Sequence, residues 1–244
     1  MKSTRRNFLR LTGLTGIGLA GGSVLKAFGS NPDMSANTLS ASLPGAARPQ
    51  KFNMCGYAAP KLDQVRIGFI GLGNRGPGHV SSMSLLEGVE IRALCDIVPA
   101  EVDKTMKRIA KTGFKPELYS GDAEAWKRMC DRNDIDLVHI STPWDMHAPM
   151  AIYAMEHGKH VAIEVPAAVT MDECWQLVET SEKTRMHCMM LENCCYDFFE
   201  MLTLNMARQG FFGEIVHGEG AYIHTLIDSN FSKDGYWNMW RLRE

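Results

Sequence analysis

Val65-Arg66-Ile67-Gly68-Phe69-Ile70-Gly71-Leu72-Gly73-Asn74-Arg75-Gly76 is the stretch that decides the fold. Its first half is an apolar run that reads as a buried strand, and its second half is a G-x-G-x-x-G turn that opens a helix. A lone glycine pattern would say little. Here a second strand, read from Val89 to Cys95, leads into Asp96 about 20 residues past the turn, and that spacing completes a dinucleotide fingerprint. Gly71 permits the tight turn, Gly73 lets backbone N–H groups approach a pyrophosphate, and Gly76 lets helix and strand pack closely. The helix N-terminus adds partial positive charge. Asp96 is placed to accept hydrogen bonds from the adenosine ribose hydroxyls. Ile97 and Val98 follow it, with no arginine to hold a 2′-phosphate, so the cofactor read here is NAD rather than NADP.

Outward from this unit, short β-like runs alternate with amphipathic helices, as a doubly wound sheet requires. A helix is expected from Pro99 to about Lys111, and a connection with another helix over Tyr119 to Arg132. Leu137 to Ile140 reads as a buried strand, His147 to Glu156 as a helix ending at Gly158, and His160 to Ile163 as a strand. Met171 to Thr184 is a further helix, and Cys188 to Leu191 closes the sheet. The fold class is therefore α/β, a Rossmann-type doubly wound parallel sheet over 63–193, followed by the start of a second α+β sheet domain over 194–244. There Tyr196 to Gln209 looks helical and Glu214 to His224 like the first strand of a different sheet. Roughly 50 residues cannot bury a second core. The run Trp240-Arg241-Leu242-Arg243-Glu244 carries no terminating signal, so the sequence is expected to be the front part of a longer protein.

Ligands of such sheets sit at the carboxyl ends of the strands, which singles out two loops. Ser141-Thr142-Pro143-Trp144-Asp145-Met146-His147 follows one strand and Glu164-Val165-Pro166-Ala167-Ala168 the next. Trp144 or His147 can pack on or hydrogen-bond to a cofactor; the plainer reading is a pair of helix-capping loops with Asp145 as the cap. No metal is expected. The seven cysteines show no C-x-x-C spacing and read mostly as buried apolar residues, and His157 and His160 flank a turn without a second ligand pair.

At the N-terminus, Thr4-Arg5-Arg6-Asn7-Phe8-Leu9-Arg10 precedes a glycine-rich apolar stretch and looks like a twin-arginine signal over residues 1–30. The stretch between Arg10 and Lys26 is shorter than the roughly 20 apolar residues that span a bilayer, so no stable membrane anchor is expected. Residues 31–62, rich in Ser, Ala, Asn and Pro, read as a linker that adds little to any core. Export to the periplasm and a nicotinamide cofactor fit together, because a route that carries folded proteins lets NAD be loaded first and then held tightly. A net charge of −2, without a basic stripe, argues against a nucleic-acid partner, while a homo-oligomer stays open.

With these residues in view, the chain resembles the Gfo/Idh/MocA oxidoreductases, which share the glycine fingerprint, a Thr-Pro loop ending in His, and a Glu-Lys-Pro element. Glu164-Val165-Pro166 departs from the last. In that family's dehydrogenases the lysine lies beside the reacting carbon, so its loss puts simple substrate oxidation in doubt. The blocks RIGFIGLGNRG, STPWDMHAPM, HVAIEVPAAVT, CMMLENCCYDFFEM and GYWNMWRLRE are similar to the family 109 glycoside hydrolases, NAD-dependent α-N-acetylgalactosaminidases. That resemblance implies NAD contacts at Asn74, Arg75, Asp96, Trp144, His147, Glu164, Val165 and Asn193, and sugar contacts at Tyr222 and Arg241. It also implies oxidation at C3 of the sugar, elimination, addition of water and reduction, with no net redox, instead of two flanking carboxylates. The family's acid–base element is expected beyond Glu244. A net NAD-dependent sugar dehydrogenase and an inactive NAD-binding fragment are the alternatives.

Overall fold

The computed structural model describes residue 50 and residues 52–221, 223–227 and 231. Six strands form one parallel sheet: β1 Val65–Ile70, β2 Val89–Asp96, β3 Glu117–Ser120, β4 Leu137–Ile140, β5 His160–Glu164 and β6 Cys188–Leu191. Their order is β3-β2-β1-β4-β5-β6. The helices are α1 Gly76–Met83, α2 Pro99–Arg108, α3 Ala125–Cys130, α4 His147–Glu156, α5 Met171–Thr184 and α6 Phe198–Arg208. This is the Rossmann topology, with its order reversing between β1 and β4.

Alternation along the strands builds two cores. Ile67 and Phe69 of β1 pack with Leu72 and Val80 under α1 and α2, while Ile70 joins Val138, Ile140, Val161 and Ile163 under α3, α4 and α5. In β2 the faces change parity, because Ile67 pairs with Ile91 but Gly68 with Ala93; Ile91 and Leu94 thus share one core although three residues apart. A helix start written in the sequence is α5, where Thr170 and Glu173 form a reciprocal capping box. It stops at Arg185, whose φ of 63° is left-handed.

Three expectations change. Where a connection had been read, Tyr119 belongs to β3, a four-residue edge strand that is mostly exposed and so shows no apolar run. The linker expected over 31–62 is attached at its end: Met54 is buried, the Phe52 ring lies 3.4 Å from the Arg185 guanidinium, and Tyr57 packs 5.4 Å from His187. Composition had argued for a linker that adds little to any core, but two aromatics and a methionine dock its end against α5 and the segment before β6. The strand expected over Glu214 to His224 is not formed among the described residues, since a strand exists only against a partner and none lies beside this segment. No residue of α6 is buried, and Phe198, Phe199 and Met201 are exposed. The cysteines also divide: Cys95 and Cys130 are buried, with thiols that desolvation pushes up to about 12, whereas Cys55, Cys194 and Cys195 are exposed. All seven are free.

Candidate functional site

Register sets the site. Ile70 pairs with both Cys95 and Ile140, and Ile140 with Ile163, so Gly71, Asp96, Ser141 and Glu164 emerge together along the carboxyl edge of the sheet. The turn after β1 enters the crevice at the switch point, with Gly71 N–H donating to the Cys95 carbonyl at 2.9 Å and Ser141 N–H donating to that of Ile70 at 2.8 Å. A side chain is excluded at two of the three glycines. A Cβ on Gly71, whose φ is +87°, would stand 2.4 Å from the Ser141 carbonyl oxygen, and one on Gly76 2.0 Å from the Gly71 carbonyl oxygen. A Cβ on Gly73 would meet nothing within 4 Å. Gly73 is open to solvent, as a glycine reserved for the close approach of a ligand should be.

The α1 N-terminus begins with Arg75 at the cap position and Pro77 in the first turn, and no side chain caps it. Its positive end is therefore available to an anion. Asp96 closes the other side of the turn: Leu72 N–H donates to its Oδ2 at 2.6 Å and Val98 N–H to its Oδ1 at 2.8 Å. Desolvation pushes the carboxyl above its ordinary range while those two bonds pull it back. Each oxygen keeps a lone pair for a hydroxyl donor. Glycines, bare helix end and carboxylate together fit a dinucleotide.

Across the crevice, Arg75 donates to Asn193 Oδ1 at 3.0 Å, joining the turn after β1 to the segment after β6. Glu164 meets His79 Nε2 at 2.6 Å. Desolvation pushes Glu164 up, but the hydrogen bond and charge of His79, the Val165 N–H and Arg75 outweigh it and hold the carboxyl below its ordinary range. Trp144 stands in a single helical turn, Trp144–Met146, and lines a cleft of about 500 Å³ with Asp145, Pro166, Ala168 and Val169. Asp145 caps nothing: α4 has no side-chain cap.

His147 is buried, with Nδ1 2.6 Å from the Pro166 carbonyl oxygen and Nε2 2.8 Å from that of Thr142. Both ring nitrogens face carbonyl oxygens of the protein, so the side chain ties the two loops together. Asn74 and Arg75 are exposed on the turn, and Val165 precedes Pro166 at the end of β5. Tyr222 and Arg241 lie outside the described residues, as do Arg5 and Arg6. Sequence reasoning passed over His79, although a histidine three residues into a dinucleotide helix faces the sheet by its period. It also passed over His139, the one polar residue in the strand Leu-Val-His-Ile. Among the described residues no group of His, Cys, Asp and Glu is arranged for a metal ion, and no helix is long and apolar enough to cross a membrane.

Residues 65–192 match GFO_IDH_MocA, an oxidoreductase family with an NAD-binding Rossmann fold. The chain belongs to this family. Residues 196–240 match the C-terminal domain of glycosyl hydrolase 109. A glycosyl hydrolase family 109 protein from Bacteroides fragilis is 59% identical over 192 residues, covering 78% of this chain and 40% of its own length. An α-N-acetylgalactosaminidase from the same species is 57% identical over 196 residues, covering 79% and 46%. A family 109 protein of Shewanella pealeana is 46% identical over 241 residues, covering 97% and 50%. The chain thus spans half or less of the length of these curated relatives. Among solved structures, an NAD binding oxidoreductase from Klebsiella pneumoniae is 26% identical with a TM-score of 0.52, over 62% of this chain and 40% of that one. Scyllo-inositol dehydrogenase from Lactobacillus casei, solved with NAD(H) and scyllo-inositol, has a TM-score of 0.55 at 24% identity, over 62% and 43%. That likeness is one of fold.

Proposed function

We propose that the full-length protein is a glycosidase of family 109 that holds NAD tightly and hydrolyses terminal α-N-acetylgalactosaminides without net oxidation. The observation that carries this reading is the pairing of a dinucleotide crevice with Val165 where the family's dehydrogenases have lysine, in a chain 57% identical over 196 residues to a protein named α-N-acetylgalactosaminidase. Bound NAD supplies reversible hydride acceptance at a sugar carbon, which acidifies the neighbouring C–H and opens an elimination route to glycoside cleavage.

The chain's own residues serve binding and orientation. The glycine turn and the α1 N-terminus receive the pyrophosphate, and Asp96 receives the ribose hydroxyls. Trp144, Glu164, Val165 and Asn193 border the nicotinamide side, and His147 sets the spacing of the two loops that carry them. Tyr222 and Arg241 bind the sugar. The proton-transfer group comes from sequence beyond Glu244. A twin-arginine signal over residues 1–30 takes the protein, already loaded with NAD, to the periplasm.

Hydrolysis of an α-N-acetylgalactosaminide in D₂O tests the chemistry. Transient oxidation at C3 acidifies C2–H, so the released sugar carries solvent deuterium at C2 and no NADH accumulates. Undiminished hydrolysis after complete removal of NAD, or stoichiometric NADH, overturns the reading; the second outcome restores the sugar dehydrogenase.

A further inference from the structure

A column of side chains climbs from the core to the crevice. Strand alternation puts Phe69 of β1, His139 of β4 and Glu164 of β5 on the sheet face that α1 covers, and His79 of α1 reaches down to meet them. The Phe69 and His139 ring centroids lie 5.1 Å apart and those of His139 and His79 4.7 Å apart; His79 Nε2 then stands 2.6 Å from Glu164 Oε1. Glu164 Oε2 accepts from Val165 N–H at 3.3 Å. Both oxygens of a carboxylate at the carboxyl end of β5 are thereby engaged.

Two adjoining imidazoles cannot both be charged cheaply. His139 is fully buried, and desolvation, with a smaller push from His79, lowers its pKa to about 3, so it stays neutral. Ser141 Oγ lies 3.3 Å from its Nδ1, and its Nε2 has no hydrogen-bond partner among the described residues. A neutral ring in that place is a flat backstop for His79. The titratable and charged groups beside His79 are the neutral His139 from β4, Glu164 from β5, and Arg75 from the turn before α1, whose charge acts on Glu164.

We propose that His79 is a positioning residue of the cofactor site: it clamps α1 to β5 and holds the Glu164 carboxylate in one orientation before the cofactor arrives. The inference rests on the reading that Glu164 borders bound NAD. A glutamate free to rotate would have to be ordered on binding, and that ordering cost is what His79 removes.

The test is NAD affinity, by calorimetric titration of cofactor-stripped full-length protein, for the wild type, His79→Leu, His79→Gln, Glu164→Gln and the double variant His79→Leu/Glu164→Gln. His79→Leu weakens binding on the order of tenfold, the scale of a charge-assisted hydrogen bond. His79→Gln, whose amide still donates to the carboxylate, recovers most of that loss. In the Glu164→Gln background His79→Leu adds nothing, because the group it acts through is already gone. Losses that multiply in the double variant, or unchanged affinity in His79→Leu, overturn the proposal. If His79→Leu does not fold, His79→Gln against the shorter His79→Asn decides, and equal affinities overturn it. A wild type that binds no NAD sinks the cofactor reading itself, an outcome distinct from a wild type that binds while the variants are indifferent.

Discussion

The three glycines of the turn do different work, and substituting each by alanine separates folding from cofactor binding. At Gly76 a Cβ would sit 2.0 Å from the Gly71 carbonyl oxygen. Carbon and oxygen in van der Waals contact need more than 3 Å, the oxygen belongs to the backbone of the same tight turn, and the Cβ position is fixed by the backbone at residue 76, so neither can swing away. Gly76→Ala should therefore cost about 3 kcal/mol or more. At Gly71 two penalties combine, a φ of +87° that L-residues resist and a Cβ 2.4 Å from the Ser141 carbonyl oxygen, for about 2–5 kcal/mol. Gly73 has neither: its φ is not left-handed and a Cβ meets nothing within 4 Å. Gly73→Ala should leave stability unchanged or raise it by about 0.4–1 kcal/mol, since alanine restricts the unfolded chain. Its effect falls on the cofactor, because the new methyl group fills the space through which backbone N–H groups approach the pyrophosphate. Urea unfolding of the cofactor-free protein with NAD titration on the same samples reads both quantities. Gly73→Ala as destabilising as Gly76→Ala, or Gly73→Ala with wild-type NAD affinity, would refute this division of roles.

Three further outcomes are expected. Asp96→Ala should lower NAD affinity by about 1.5–3 kcal/mol through lost charge-assisted bonds, and it should also destabilise the cofactor-free fold, because Leu72 N–H and Val98 N–H lose their acceptor; unchanged affinity removes Asp96 from the site. His139 is held neutral to about pH 3 when folded but takes a proton near its ordinary value when unfolded. The unfolded chain thus binds the extra proton in between, so stability falls as pH drops through that window, by up to about 1.4 kcal/mol per pH unit. His139→Phe should flatten the slope measured by urea midpoints between about pH 6 and 5, above the range where Asp134 and Asp136, both lowered by arginine partners when folded, begin to take up protons in the unfolded chain; parallel slopes would contradict it. Arg5→Lys with Arg6→Lys should leave the precursor in the cytoplasm with NAD bound, and normal recovery of the double variant from the periplasm would reject the signal.

The features legible in the chain before folding are local ones. The strand, turn and helix from Val65 to Met83, the distance to Asp96 and the limits of α5 and β6 are all written in periods, caps and turn residues within a few positions of one another, which is the range over which a chain dictates its own geometry. Tertiary structure decided which distant residues meet. The order β3-β2-β1-β4-β5-β6 brings Arg75 to Asn193, 118 residues on, and His79 to Glu164, 85 residues on, and no local pattern encodes either pair. It also made His147 a link between two loops, because only their close approach sets carbonyl oxygens against both ring nitrogens. The split among the glycines became visible the same way. A motif states that a side chain is missing, and only the neighbouring backbone shows whether the space it leaves is filled by the protein, as at Gly71 and Gly76, or kept open, as at Gly73.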